Sequence, residues 1–264
     1  MSETLSTVIL GIIEGITEFL PISSTGHLLI AERWLGARSE LFNVSIQAGA
    51  ILAIVLIYWR RLVDLLTHFN HPAPRDYLAK LVVAFLITAA GGFIATRLGW
   101  KLPESVLPVA VATLLGGVLI LVIEAYVARR PETSAVTWNV AIWVGLCQIL
   151  AAVFPGTSRS ASTIFAAMLA GLTLRPAATE FAFLVGIPTM FAATGYELLK
   201  VRGQASGEDW NAVAIGFAVS LVVAFIAVKW LLRYVQSHRF TIFAWYRLAL
   251  GSILLAAVAV GKLS

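Results

Sequence analysis

Between residues 11 and 30 an otherwise apolar stretch carries two carboxylates (Glu14, Glu18), a run of three hydroxyls (Ser23, Ser24, Thr25) and an imidazole (His27). A second stretch, 154–163, reads Phe-Pro-Gly-Thr-Ser-Arg-Ser-Ala-Ser-Thr and sets Thr157, Ser158 and Ser160 around Arg159. Glu14 and Glu18 are four residues apart, so a helix puts both on one face with Thr17 beside them. A carboxylate at the centre of a bilayer costs at least ~2.5 kcal/mol, so the pair needs water, a cation, Arg159 or a shared proton. The competing reading is structural: both acids bond to backbone or to each other as glue between helices. Arg159 reads as the only basic residue placed deep in apolar sequence. Its planar fork suits bidentate phosphate binding and keeps its charge when buried. A structural ion pair with Glu18 or Glu14 is its alternative use, and the two are compatible if the pair opens for a ligand.

Each hydroxyl run precedes a new helix, whose first amides carry partial positive charge and favour an anion. Ser23, Thr25, Thr157, Ser158 and Ser160 add hydroxyl donors there. A single such run is usually a helix cap; two at matched positions, with one arginine, point to a phosphate site. His27 lies three residues after Ser24, one helical turn, and an imidazole of ordinary pKa near ~6.5 moves protons at neutrality. Many lone histidines are satisfied core residues; in this setting the expected role is catalytic. His68, His71 and His238 fall in loops or at segment ends.

Assembled, these groups describe hydrolysis of a phosphate ester or anhydride. Arg159 and the helix-start amides bind the phosphate and stabilise charge developing on its oxygens. Ser24 or a water attacks; Glu18 or His27 removes its proton, and the other protonates the leaving oxygen. Glu14 and Glu18 are also candidate ligands for a divalent cation bridging phosphate oxygens. A site at membrane depth implies a substrate with a phosphate head on a lipid tail.

The elements that must position these residues follow from composition. The 264 residues are 59% hydrophobic and 12% charged, about half the charge of a soluble chain; mean hydropathy is +0.89. The chain is therefore expected to be an all-α polytopic membrane protein forming one membrane domain, 1–264. Cys147 is the single cysteine, so there is no disulfide framework, and it reads as a packing residue. The net charge of +5 comes from residues at segment ends and does not point to nucleic acid. Glu3 and the lack of a basic leader argue against a signal peptide.

Segment 8–20 is too short for a bilayer at ~1.5 Å per residue, and Pro21 ends it. Ser23, Ser24 and Thr25 then cap a second short helix, about 26–35. This predicts a re-entrant hairpin, with one kinked span over 8–35 as the alternative; a helix break at membrane depth must be buried or line a cavity. Three spans follow, 43–59, 79–96 and 106–127, with 68–76 a loop containing Pro72 and Pro74. After Pro131 the order restarts: a half-length segment 140–154, a break, another half-length segment 163–172, then spans 180–199, 212–232 and 242–260. Gly145 and Pro155 repeat the separation of Gly11 and Pro21, and a shift of 134 sets Glu14 on Gln148, Ser24 on Ser158 and Thr25 on Arg159. Two repeats, 1–130 and 138–264, are expected, each a hairpin plus three crossings. The odd number inverts the second, giving six crossings and two re-entrant hairpins. Eleven basic residues (Arg60, Arg61, Arg75, Lys80, Arg129, Arg130, Arg175, Lys229, Arg233, Arg239, Arg247) against seven (Arg33, Arg38, Arg97, Lys101, Lys200, Arg202, Lys262) put the first set in the cytoplasm and both termini outside.

The residues Glu14-Gly-Ile-Thr-Glu18-Phe-Leu-Pro-Ile-Ser-Ser-Thr-Gly-His27 and Pro155-Gly-Thr-Ser-Arg159-Ser resemble the two main motifs of the undecaprenyl-diphosphate phosphatases, also called bacitracin-resistance proteins. The likeness extends to Phe42-Asn-Val-Ser-Ile-Gln47 and Glu180-Phe-Ala-Phe-Leu, and covers essentially the whole chain. Ala161 stands where that family often has glycine. The resemblance implies removal of the terminal phosphate of undecaprenyl diphosphate at the outer face of the bacterial cytoplasmic membrane. This recycles the lipid carrier for cell-wall polymers and confers bacitracin resistance. It implies catalytic roles for Glu14, Glu18, Ser24, His27 and Arg159, with Ser23, Thr25, Thr157, Ser158 and Ser160 lining the phosphate site. It further implies a divalent cation (Mg or Ca), membrane-lipid contacts, no nucleic-acid partner, and often a homodimer. A lipid-carrier flippase or transporter on the same scaffold is the alternative, since broken helices also suit alternating access. A channel or scaffold would leave Arg159 and the matched hydroxyls without a role.

Overall fold

Apolar runs bounded by capping hydroxyls and charged ends fold here into helices and loops alone. The computed structural model describes residues 2–98, 105–201 and 207–261, with eleven helices and no strand among them. Six helices are long and apolar enough to cross a membrane: Glu40–Ile57, Pro72–Ala95, Val106–Val127, Arg175–Tyr196, Trp210–Tyr234 and Thr241–Ala259. The chain is a multi-pass membrane protein. Lys101, Arg202 and Lys262, counted in the charge comparison, lie outside the described residues, as does the side chain of Lys200.

Four shorter helices flank the polar breaks. α1 (Glu3–Thr17) and α2 (Ser24–Leu35) pack on each other across the first; α7 (Trp138–Val153) and α8 (Arg159–Leu169) do so across the second. At 15, 12, 16 and 11 residues, none reaches the ~30 Å of a bilayer core. α3 (Glu40–Ile57) leads to a short helix absent from the sequence reading, α4 (Trp59–Thr67), which contains Arg60 and Arg61. α5 (Pro72–Arg97), α6 (Val106–Val127), α9 (Arg175–Val201), α10 (Trp210–Tyr234) and α11 (Thr241–Ala259) complete the set.

The expected loop at 68–76 is corrected in part. α5 starts at Pro72 and takes both prolines into its first turn. A proline costs little there, because first-turn amides have no helical acceptor to lose. α9 likewise starts at Arg175 and continues through Pro188.

α1 packs along α10, and α7 packs along α5. Between them α3 touches both α9 and α10, while α6 and α11 form the largest remaining contact. The half-length helices approach their partners through glycine. A Cβ on Gly11 would lie 2.9 Å from the Gly216 carbonyl, and one on Gly15 2.8 Å from that of Ser220. On α7 a Cβ at Gly145 would lie 2.8 Å from the Ala84 carbonyl. Hydroxyls reinforce these seams: Thr88 Oγ1 donates to Gly145 O at 3.0 Å, and Ser220 Oγ to Ile46 O at 2.7 Å. The small residues at positions 11 and 15 thus do what their spacing predicts.

Candidate active site

The two breaks share one backbone device. Ser23 (φ 74°) and Ser158 (φ 70°) are the only non-glycine residues with positive φ among those described. Such a conformation costs about 1–3 kcal/mol and tends to persist at functional sites. Each serine caps the helix that follows, accepting from Gly26 N at 3.4 Å and from Ala161 N at 3.3 Å. Ser24 and Arg159 are therefore structural counterparts, each the first residue of its helix. This corrects the equivalence of Ser24 with Ser158 and of Thr25 with Arg159. The second break has one more residue between proline and capping serine, Pro155-Gly156-Thr157-Ser158 against Pro21-Ile22-Ser23. A constant shift of 134 holds as far as the prolines and fails after them.

Both counterparts reach the same carboxylate. Glu18 sits just past the last turn of α1, its side chain 7% exposed. Ser24 Oγ donates to its Oε2 in a short hydrogen bond, and Arg159 Nη2 donates to its Oε1 at 2.8 Å. The guanidinium also stands 5.9 Å from the centre of the Phe19 ring. Its other terminal nitrogen, Nη1, is buried without a hydrogen-bond partner. Glu14, one turn earlier on α1, is fully buried, and neither of its oxygens has a partner. It lies within electrostatic reach of Glu18 and Arg159. The breaks are tied directly as well: Ser160 Oγ donates to Leu20 O at 2.9 Å.

A cavity of about 220 Å³ opens beside this cluster, lined by Glu18, Ser23, Ser24, Thr25, Ser158 and Arg159. Gln47, Thr88, Gln148 and Thr189 add polar groups from the spans and α7, and Met190 adds an apolar wall. Gln148 Nε2 donates to Thr88 Oγ1 at 2.9 Å and to Thr189 Oγ1 at 3.0 Å. The arrangement offers one hydroxyl on a carboxylate, one guanidinium with an unused donor, and two helix starts.

Four expected site residues do not line it: Glu14, buried behind Glu18, and Thr157, Ser160 and His27. Thr157 Oγ1 donates to Phe154 O at 2.6 Å, and Ser160 is engaged with Leu20; neither lines the cavity. The ring of His27 folds back along α2, with Nδ1 at 2.6 Å from Ser23 O and Nε2 at 2.6 Å from the Tyr246 hydroxyl. It lines a second, apolar cavity of about 590 Å³ with Ile13, Trp230 and Phe243. One turn along the helix brought His27 near Ser24 in sequence; a carbonyl of α2's own cap and a phenol of α11 claim both ring nitrogens.

Sequence reasoning also missed a residue. Arg159 is not the only cation deep in the apolar region: Arg247, assigned to an extramembrane set, lies in α11 and is fully buried. Without it the charge comparison reads ten against seven. Its signal was its place inside the predicted span 242–260. For a cation, the described residues contain no group of three or more His, Cys, Asp or Glu side chains.

The family model for "Bacitracin resistance protein BacA" matches residues 7–253. The chain belongs to the BacA family. A relative from Rhizobium etli, named undecaprenyl-diphosphatase, is 61% identical over 262 residues, 98% of this chain and 99% of its own length. One of the same name from Xanthomonas euvesicatoria is 58% identical over 257 residues, 97% of each chain. BacA membership agrees with the resemblance carried by the two motifs around Glu18 and Arg159.

Proposed function

We propose that this BacA-family chain is an undecaprenyl-diphosphate phosphatase, releasing the terminal phosphate to give undecaprenyl phosphate and so conferring bacitracin resistance. The observation that carries the reading is Glu18, bound at once by the first residue of each broken-helix segment, Ser24 and Arg159. The relatives' common name supports the substrate. In the reaction, Arg159 Nη1 and the amides starting α2 and α8 hold the terminal phosphate. Glu18 takes the Ser24 proton as Oγ attacks phosphorus; an O–P bond forms, and the bond to the bridging oxygen breaks, releasing undecaprenyl phosphate. Glu18 passes that proton to the departing bridging oxygen and is a carboxylate again; water then cleaves the phosphoserine, with Glu18 taking the water proton and returning it to Ser24 Oγ. The proton-transfer role expected of His27 has no support in its hydrogen bonds to Ser23 and Tyr246.

Glu14, whose oxygens are buried and unpartnered, and Glu18 would be the residues to hold a magnesium or calcium ion. Such an ion would supply charge neutralisation at the phosphate. Two inverted repeats, 1–130 and 138–264, with re-entrant hairpins are part of the same reading. Supporting it are the paired contacts of α1 with α10 and α7 with α5, and the matched capping serines. The family resemblance supports placement in the cytoplasmic membrane with the site open to the outer face, and a homodimer.

The test is release of inorganic phosphate from an isoprenyl diphosphate by detergent-purified protein. Arg159→Ala is expected to lower kcat/KM by about 10³-fold in protein that remains folded. A parent without turnover, or a folded Arg159→Ala variant with normal turnover, sinks the assignment.

A further inference from the structure

Arg247 is 0% exposed, and the mechanism above does not use it. All five of its hydrogen bonds go to backbone carbonyls. Two acceptors are on α6, Ala112 at 3.0 Å and Thr113 at 3.2 Å. One is Pro21 in the first break, at 3.2 Å. Two are in the second break, Gly156 at 3.0 Å and Thr157 at 3.2 Å. None of the ion pairs among the described residues includes it. Its donors are satisfied but its charge is not, and an uncompensated cation in a low-dielectric interior is costly. A scaffold needing only a staple would be served by a neutral donor.

The carbonyls it gathers have a geometric corollary. In a planar trans peptide the N–H points opposite to the C=O, and the described residues contain no cis bond. Drawing Thr157 O onto Arg247 therefore turns the Ser158 N–H to the far side. Ser158 itself lines the cavity that holds Arg159.

We propose that Arg247 is a positioning residue for the phosphate cavity. It locks the two breaks to α6 and to each other, turns the peptide before Ser158 so that its N–H serves the anion, and adds an unpaired positive charge behind the site. The consequence for turnover rests on the phosphatase reading; the consequence for anion binding does not. Gly116 offers an independent handle. On α6 it faces the guanidinium, and the Cβ of an alanine there would overlap the Nη2 and Cζ atoms. Gly116→Ala therefore displaces the guanidinium while leaving the charge in the chain and favouring the helix.

The experiment compares parent, Arg247→Lys, Gly116→Ala and a control, Arg175→Lys, which perturbs a buried pair with Glu124 outside the cavity. Isoprenyl diphosphate hydrolysis, melting temperature and affinity for inorganic pyrophosphate are measured on each. Arg247→Lys is expected to lower kcat about 100-fold and to weaken pyrophosphate binding about tenfold, the scale of losing an oriented anion donor. Gly116→Ala lowers kcat about tenfold, a partial loss of the same donor. Arg175→Lys lowers the melting temperature and leaves kcat of the folded protein within about twofold, since it touches no group in the cavity. A folded Arg247→Lys variant with kcat within twofold of the parent overturns the proposal, as does an equal kcat loss in the control at matched melting temperature. Where Arg247→Lys does not fold, Gly116→Ala decides on the same criteria. If the parent hydrolyses nothing, the phosphatase reading falls. Arg247 is then judged by pyrophosphate affinity, about tenfold weaker in the variants if it positions the anion site and equal if it does not.

Discussion

The two polar breaks are alike in backbone and opposite in chemistry. Both end in a serine of positive φ that caps the next helix, and both send that helix's first side chain to Glu18. From the first break the side chain is a hydroxyl, Ser24; from the second it is a guanidinium, Arg159. The preceding helices diverge as well. α1 brings the buried acid Glu14, and the position that matches it on α7 holds Gln148, a neutral amide bonded to two threonines. In the proposed reaction the first break and its helix supply acid and nucleophile, the second the cation. On that reading neither break holds a complete site, and the contact of Glu18 with Arg159 joins the two.

That division can be broken outright. Ser24→Ala removes the hydroxyl that only the first break supplies, and kcat should fall by at least about 10³-fold in a phosphate-release assay. A loss under tenfold would show that water attacks directly and that Ser24 only orients Glu18. Arg159→Lys keeps the charge of the second break but loses the fork that grips Glu18 and phosphate together. About 100-fold lower kcat/KM is expected, measured on protein whose helical circular dichroism is unchanged. Gln148→Glu makes the second half acidic like the first. A second carboxylate lining the cavity beside Glu18 repels the diphosphate, and KM should rise about tenfold, more at low ionic strength. The mildest change tests the shared backbone. Glycine at Ser23 or Ser158 relieves the positive φ but loses the cap, so stability should stay within about 1 kcal/mol, whereas alanine at either should cost about 1–2 kcal/mol. Denaturant melts in detergent would separate the two.

Much of this was legible before any coordinates. Span count and the position of both breaks follow from apolar runs and from Pro21 and Pro155, because the bilayer constrains length and hydropathy strongly. The pairing of Glu18 with Arg159 followed from the cost of leaving either charge alone. What failed depended on packing. Pro72 and Pro74 read as loop because their compatibility with a first helical turn shows only once the helix start is known. The partner of the His27 ring, Tyr246 of α11, was likewise not legible, because it lies 219 positions distant in sequence. Arg247 was counted with a neighbouring basic cluster, although its acceptors are carbonyls, which leave no mark on side-chain identity. The slip of one residue after Pro155 came from assuming equal breaks, and the capping serines alone expose it.

The contact of α1 with α10 also bears on how the protein is made. α7 emerges from the ribosome after its partner α5, so it finds a finished groove. α1 precedes the helix that covers Gly11 and Gly15, α10, by roughly 200 residues of synthesis. At ~5–20 residues per second the delay is roughly 10–40 s, during which Glu14 and Glu18 lack their final shelter. A cysteine placed at Thr17 is expected to react with a water-soluble maleimide in chains stalled before α10, and to become protected once α10 has emerged. Glu14 and Glu18 thus reach their final surroundings only after a helix made much later has docked.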